Sequence, residues 1–217
     1  MNDATQVIEA YKSFRSKKWM PGGQGALASL CSINDNSSKV YVTPDQIRDD
    51  LSNSDLFLLR NLYGSNEMQA PLNSFDETLT ISRWTPIFLE IIARFPKTRA
   101  IAQLCTKWSV LAARMSLEAW KKKADQHPNV LRLSHWELLN HLGASNELLI
   151  PVVNLSSGDT LLAETKNSLS LYPNTCAILI RDYGIVVWGE SFSDLERRVE
   201  ILEHVCELQT ISFTLFP

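Results

Sequence analysis

The chain has 217 residues, of which 45% are hydrophobic and 21% are charged, so it has enough apolar sequence for a sizeable core. Its formal net charge of −3 gives no strong attraction to nucleic acid or to an anionic membrane, and we expect it to bind neither directly. No apolar stretch is long enough to cross a bilayer, and the start of the sequence lacks the pattern of a signal peptide. Its cysteines form no CxxC pair, which favours free thiols in a reducing compartment and predicts a cytoplasmic protein, with the nucleus as the alternative.

The first half of the chain shows both helical and strand-like patterns. Apolar residues at helical spacing predict a helix over residues 4–17, and a glycine-rich break then leads into strands over residues 26–33 and 39–43. Residues 61–77 are rich in loop-forming types. Thr85 followed by Pro86 predicts a helix N-cap with proline at the first helical position.

The second half of the chain predicts alternating elements that end in a hairpin. Five segments are predicted here: a strand over 100–104, a helix over 107–115, a strand over 148–153, and strands over 175–180 and 185–188. Asp182-Tyr183-Gly184 supplies the tight turn between the last two strands. Ser134 with Glu137, and Ser193 with Glu196, fit capping boxes that open two further helices.

These elements predict one α/β domain spanning residues 1–217. The uninterrupted apolar run over 175–180 is typical of a central strand, and the hairpin requires that the sheet contain antiparallel pairs. The expected architecture is a mixed, largely antiparallel central sheet between helical layers.

The hairpin sequence is also the most specific motif in the chain. The run from Tyr172 to Glu190 resembles the C-terminal signature of the class II aldolase/adducin family, in particular its methylthioribulose-1-phosphate dehydratase branch, which serves methionine salvage. Shorter matches over residues 84–88, 100–112 and 131–139 extend the resemblance along most of the chain. It implies a three-layer αβα domain and, for a typical member, a zinc-dependent lyase.

The resemblance also implies that the zinc site of this chain has changed. The family binds zinc through a His-x-His motif on a strand and a third histidine before a glycine in the hairpin turn. Here those positions hold Gln103, Cys105 and Tyr183. Glutamine and tyrosine are poor zinc ligands, and one thiol does not hold the ion alone, so we expect no zinc and no other cofactor.

The four histidines of the chain offer no substitute at ligand spacing. They are His127, His135, His141 and His204. None forms an i, i+2 pair on a strand or an i, i+4 pair on a helix, so satisfied or exposed side chains are the favoured interpretation.

The phosphate-binding elements of the family are partly kept. Gly22, Gly23 and Gly25 match its glycine loop, whose backbone N–H groups approach a phosphate. The family's Pro-Ser-Gly turn, in contrast, is Pro44-Asp45-Gln46 here, and a carboxylate beside a phosphate is repulsive. We therefore interpret this second segment as a plain turn.

One catalytic position matches the family, because Glu137 stands where members carry their general acid or base. Without a metal to polarise a carbonyl, little acidifies the proton that this carboxylate would remove. Glu137 also fits the N3 position of the Ser134 capping box, so a structural role is the preferred interpretation. Trp108 and Trp136 flank the same region, either as core residues or as a new binding face.

These observations leave three hypotheses about function. The first is a catalytically inactive aldolase-like domain that serves as a binding or assembly subunit, like the adducin heads. The second is a methylthioribulose-1-phosphate dehydratase-like lyase with an altered metal site that uses Cys105. The third is a zinc-free enzyme or ligand sensor built on Glu137 and the glycine loop. Because family members form cyclic tetramers, the resemblance also implies a homo-oligomer, a heterologous protein partner, or both.

Overall fold

The structure is a computed structural model that describes residues 3–21, 25–33, 37–45, 50–60, 68–71, 79–123, 129–134, 137–144, 147–154 and 158–215. By their contacts the residues fall into two compact units. The first unit comprises Met1–Leu104 and Trp188–Leu195, and the second comprises Cys105–Val187 and Glu196–Pro217. That the whole chain forms one domain stays a prediction.

The first unit combines two helices with five strands. Its elements are α1 (Asp3–Ser16), β1 (Gly25–Ile33), β2 (Ser37–Val42), a 3₁₀ helix (Asn53–Asp55), β3 (Phe57–Arg60), β4 (Met68–Pro71), α2 (Thr85–Arg94) and β5 (Ala100–Leu104). The strands lie in the order β4-β3-β2-β1-β5, and the neighbouring strands are antiparallel. β4 corrects the loop prediction for residues 61–77, of which 61–67 and 72–77 lie outside the described residues.

The core of the first unit follows the predicted apolar patterns. The helical face of α1, formed by Val7, Ile8, Tyr11 and Phe14, is buried as its spacing predicted. This helix packs against β1 and β2. All five residues of β5 are buried, so this strand lies in the interior of the unit.

The start of α2 differs from the sequence prediction by one residue. Trp84 occupies the N-cap position, so Thr85 is the first helical residue and Pro86 the second. The Thr85 hydroxyl does not cap the helix but donates a hydrogen bond of 2.6 Å to the carbonyl oxygen of Ser82. The N-cap prediction for Thr85 is therefore wrong, although the helix itself is confirmed.

The remaining elements follow β5 along the chain. They are α3 (Lys107–Lys123), β6 (Val130–Ser134), a 3₁₀ helix (Glu137–Leu142), β7 (Glu147–Val153), α4 (Gly158–Leu171), β8 (Ala177–Ile180), β9 (Gly184–Gly189) and α5 (Phe192–Leu215). Strand β8 lies between β7, to which it is parallel, and β9, to which it is antiparallel. Its residues are all buried, so the prediction of a central strand is confirmed.

The pairing of β8 with β9 confirms the predicted hairpin. Ala177 lies opposite Val187, and Ile180 lies opposite Gly184. Among the described pairings only that of β7 with β8 is parallel, so the predicted mixed, largely antiparallel sheet is confirmed as well.

Helix α5 is capped by Ser191, two residues before the predicted cap at Ser193. The Ser191 hydroxyl accepts a hydrogen bond of 3.1 Å from the Asp194 N–H, and the Asp194 carboxylate accepts one of 3.0 Å from the Glu190 N–H. These contacts replace the predicted box of Ser193 and Glu196. The predicted apolar stripe of Leu195, Val199, Leu202 and Cys206 is fully buried.

No helix within the described residues is long and apolar enough to cross a membrane.

Candidate functional site

The corner between β5 and α3 carries two of the three positions that the family resemblance identifies with zinc ligands. Gln103, on β5 opposite Ala26 of β1, has only 2% of its surface exposed. Cys105 follows the strand directly and is half-buried. Burial raises the pKa of its thiol.

The third position, Tyr183, lies in the hairpin turn between β8 and β9. Its N–H donates a hydrogen bond of 3.0 Å to the carbonyl oxygen of Ile180. Asp182 adopts a left-handed conformation with φ of 65°, and Gly184 follows with φ of 100°. The Arg114 side chain of α3 pairs with the Asp182 carboxylate, which holds this turn against the helix. The turn is therefore well defined, and it presents a phenol.

A buried amide, a single half-buried thiol and a phenol do not fit the requirements of a zinc ion. Among the described residues there is also no group of three or more histidine, cysteine, aspartate or glutamate side chains that could hold a metal. His141 and His204 are exposed, and His127 and His135 lie outside the described residues. We therefore derive no chemical step through zinc, and the expectation of a zinc-free chain stays a prediction.

The predicted cap at Glu137 is wrong. Ser134 is the last residue of β6, where it lies opposite Glu147 of β7. Glu137 is the first residue of the following 3₁₀ helix, so it does not occupy the N3 position that a capping box requires. The carboxylate side chain of Glu137 is exposed. The structural role that we preferred for this residue therefore has no support in the observed geometry.

The 3₁₀ helix that carries Glu137 is anchored from α5. Arg197 donates a hydrogen bond of 3.0 Å from Nη1 to the carbonyl oxygen of His141, near the C-terminal end of the 3₁₀ helix. Carbonyl groups at a helix end have no partner within the helix, so a guanidinium is well suited to this position. The anchor fixes the backbone that presents Glu137.

Of the glycine loop, only Gly25 lies within the described residues. It begins β1 with φ of 140°, a conformation that favours glycine. A Cβ atom at this position would lie 2.7 Å from Cγ of Met20 and 3.2 Å from the carbonyl oxygen of Gln103. Gly25 therefore has a packing role, because the absence of a Cβ atom lets β1 approach β5 closely beside the buried Gln103. The phosphate role of Gly22, Gly23 and Gly25 stays a prediction.

The turn that replaces the family's Pro-Ser-Gly segment is held by an ion pair. The Asp45 carboxylate accepts hydrogen bonds of 3.0 Å from Nε and 2.7 Å from Nη2 of Arg83. It also accepts a bond of 3.1 Å from the Arg83 N–H. Partial burial acts to raise the pKa of Asp45, but the hydrogen bonds and charge of Arg83 outweigh it and lower the pKa below its ordinary value. These contacts favour the plain-turn interpretation of Asp45.

A polar cluster at the start of α3 was not found from the sequence. Thr106 is buried directly after Cys105, and its hydroxyl contacts that of Ser109 at 2.7 Å. The same Thr106 hydroxyl donates to the carboxylate of Glu203 on α5. A threonine before a helix suggests a cap, but nothing local in the sequence connects it with a glutamate so far along the chain.

Trp108 lies beside this cluster and is half-buried. The Lys107 ammonium lies 4.4 Å from the centroid of its ring, which is the geometry of a cation–π contact. Trp108 is thus neither a fully buried core residue nor a free surface residue. Trp136, which the sequence analysis assigned to the same region, lies outside the described residues.

The comparison with known proteins shows the family. The sequence profile of the Class II Aldolase and Adducin N-terminal domain matches residues 5–210, and the chain therefore belongs to this family. A methylthioribulose-1-phosphate dehydratase-like protein of Schizosaccharomyces pombe is 23% identical over 202 residues, which cover 93% of this chain and 92% of the relative. A methylthioribulose-1-phosphate dehydratase of Komagataella phaffii is 26% identical over 215 residues, covering 94% and 80%.

Solved structures of aldolases share the fold. A sugar-phosphate aldolase from Thermotoga maritima superposes with a TM-score of 0.71 at 17% identity, covering 99% of this chain and 96% of that structure. YgbL from Escherichia coli, a putative aldolase/epimerase/decarboxylase, gives 0.70 at 19% identity, covering 97% and 90%. The predicted fold class, an αβα class II aldolase/adducin-like domain, is confirmed. The roles of Gln103, Cys105 and Tyr183 are not tested by these likenesses.

Proposed function

We propose that this chain is a class II aldolase/adducin family member that has lost the zinc-dependent lyase reaction and serves as a binding or assembly subunit. The observation that carries the proposal is the corner after β5. There the position matched to the first histidine holds a buried glutamine, and the position matched to the second holds a single half-buried thiol. A glutamine amide is a poor zinc ligand, and one thiol without further ligands does not hold the ion.

The second support comes from the phosphate side of the family site. The guanidinium of Arg83, beside the altered turn, is engaged by the Asp45 carboxylate. A substrate phosphate at this turn would have to displace that carboxylate and approach its negative charge. The pair therefore disfavours a phosphorylated substrate at this turn.

The partner in this proposal is a protein: another copy of the chain, a different chain, or both. Large apolar side chains are exposed on α5, where Ile211 is 43% and Leu215 is 65% accessible. Their spacing of four residues places them on one side of the helix end. A contact that covers this end of α5 would remove both from water. We place this assembly in the cytoplasm, in keeping with the free cysteines.

The test is an affinity purification of the tagged full-length chain from its native extract, followed by mass spectrometry. The proposal expects a partner or a second copy in stoichiometric amount, retained when Glu137 is changed to glutamine. A matched variant, Leu215→Ser, should weaken the capture. A chain that is monomeric and recovers nothing above the control would contradict the proposal.

A second candidate function, a methylthioribulose-1-phosphate dehydratase-like lyase, is favoured by two observations. The relatives that match over most of their length carry that name. In addition, Glu137 is exposed and does not cap a helix, so its presence is compatible with a catalytic role. An assay of the wild-type chain on methylthioribulose-1-phosphate separates the candidates. Turnover that disappears in Glu137→Gln, with unchanged thermal stability, would establish the lyase and overturn the proposal.

A further inference from the structure

The corner after β5 is tied to the C-terminal helix by a buried hydrogen-bond cluster. Thr106 donates its hydroxyl to Glu203, and the Ser109 N–H also donates to this carboxylate. The Ser109 hydroxyl donates a bond of 3.0 Å to the carbonyl oxygen of Thr106. Both hydroxyl residues lie at the start of α3, so α5 supplies an acceptor to a helix end whose N–H groups lack partners within the helix.

The cluster has a complete set of hydrogen bonds in either protonation state of Glu203. In the charged state the carboxylate accepts from the Thr106 hydroxyl and the Ser109 N–H. In the neutral state the Glu203 hydroxyl donates to Thr106 Oγ1, Thr106 donates to Ser109 Oγ, and Ser109 donates to the Thr106 carbonyl oxygen. The 2.7 Å contact between the two hydroxyl groups allows a proton to point in either direction.

From this geometry we propose that Glu203 is a two-state latch that holds α5 on the first turn of α3 and thereby sets the position of Cys105. Gaining or losing one proton reverses the direction of the hydrogen bonds without leaving a donor or acceptor unmatched. Cys105 precedes Thr106 directly, so the thiol follows the backbone that the latch holds. The proposal stands whether or not the chain is catalytic, and its failure is separate from that of the proposed function.

The surroundings of Glu203 favour its neutral form more strongly than water does for an ordinary glutamate side chain. Burial raises the pKa of Glu203 most strongly, the hydrogen bonds from Thr106 and Ser109 lower it, and the net direction is upward. The charged groups that act on it are Glu207 on α5, which raises its pKa, and Lys107 on α3, which lowers it. The buried Cys206 thiol lies close enough that the charge of Glu203 acts on it as well.

The sign of the effect on stability follows from linkage. A carboxyl group whose folded pKa is raised binds its proton more tightly in the folded state. Its contribution is therefore full below the ordinary pKa of 4.5 and is lost as the pH rises through the higher folded value. Glutamine keeps the shape of the neutral carboxyl group but has no such titration.

The first measurement compares melting temperatures of the full chain and its Glu203→Gln variant from about pH 4 to about pH 8. The advantage of Glu203→Gln over wild type should grow with pH and then level off. In a Thr106→Val background, which removes a hydrogen bond to the charged form, this growth should begin at the same pH but continue to higher pH and become larger. Glu200→Gln, an exposed change on the same helix, is the matched control and should give a curve parallel to wild type.

The second measurement is the alkylation rate of Cys105, which reports on the position of the backbone between β5 and α3. Because Cys176 and Cys206 are buried, a Cys31→Ser background reports Cys105, and Cys105→Ser confirms the assignment. At one fixed pH, Thr106→Val should raise the alkylation rate several-fold, whereas Ser116→Ala, further along α3, should leave it unchanged. A pH-independent difference between Glu203→Gln and wild type, or an unchanged rate in Thr106→Val, would overturn the latch.

Discussion

At the scale of single residues, Glu137 is the position whose interpretation changed most. The sequence placed it in a capping box with Ser134, but Ser134 ends a strand and Glu137 begins the 3₁₀ helix with an exposed side chain. Glu137→Gln and Glu137→Ala should each change the free energy of unfolding by no more than about 0.5 kcal/mol, as is usual for exposed sites. Urea unfolding measures this.

Ser191, whose side chain does cap a helix, gives a matched comparison. Ser191→Ala removes the acceptor for the Asp194 N–H and should cost about 1 kcal/mol. If Glu137→Ala costs as much as Ser191→Ala and is less than additive with Ser134→Ala, the box exists in solution and the placement of Glu137 is wrong.

The ion pair of Asp45 with Arg83 gives a second prediction at this scale, with a defined pH dependence. The folded pKa of Asp45 is lowered, so its contribution to stability is present above the ordinary value of 3.8 and is lost as the pH falls through the folded value. Because Arg83 is largely exposed, the contribution should not exceed about 1 kcal/mol.

Unfolding of wild type and Asp45→Asn at a series of pH values tests this. The deficit of Asp45→Asn should be constant near neutral pH and should vanish in acid. Glu90→Gln removes the carboxylate of the Glu90–Arg94 pair within α2 and serves as the control for an ion pair inside one helix. A deficit of Asp45→Asn that persists in acid would show that the turn does not depend on this charge.

At the scale of elements, Gly25 combines a packing constraint with a conformational one. An alanine there must adopt φ of 140° and place its Cβ against Met20 and Gln103. Gly143 provides the control, because it has φ of 82° but nothing within 4 Å of a Cβ atom. Gly143→Ala should cost about 1 kcal/mol for its left-handed conformation, and Gly25→Ala should cost more by about 1–3 kcal/mol.

Denaturant unfolding of both glycine variants gives the two costs. Equal losses would mean that β1 and β5 do not pack as closely at Gly25 as the structure shows. A larger loss in Gly143→Ala would contradict the assignment of the contact with Met20.

The elements that the sequence predicted well are those with long and regular apolar patterns. β5 was recovered with its bounds, and the hairpin of β8 and β9 was recovered because both strands are buried along their length. α4 was missed because its buried stripe, Leu161, Thr165 and Leu169, contains a hydroxyl residue that interrupts the apolar spacing. β6 was missed because Ser134 suggested a cap.

Cap positions and long-range contacts lie beyond local pattern. Of the three helix starts that were assigned from capping residues, those at Thr85 and Ser193 moved by one or two residues, which is the scale on which competing hydroxyl side chains decide. The contact of Glu203 with Thr106 depends on how α5 returns to α3, and no periodicity contains that information. Within the candidate site, the sequence identified the residues at the matched positions, but it did not predict which side chains they contact.

At the scale of the whole molecule, the family assignment and the fold stand on agreement along nearly the full length of the chain. Assembly stays a prediction, which the family resemblance and the apolar residues of the last helix suggested. Light scattering of the purified chain should show a mass above that of one 24.5 kDa chain. Leu215→Ser should shift that mass downward if the end of α5 is the contact, with the exposed Leu171 changed to serine as the control.

The central claim, that this family member works without zinc, is tested most directly by the metal content of the pure protein. The chain should be prepared in medium supplemented with zinc, without chelators, and analysed for elements alongside its Cys105→Ser variant. We predict far less than one zinc per chain, with no difference between the two. Close to one zinc per chain in wild type, lost in Cys105→Ser, would contradict the account and show a rebuilt metal site at the corner after β5.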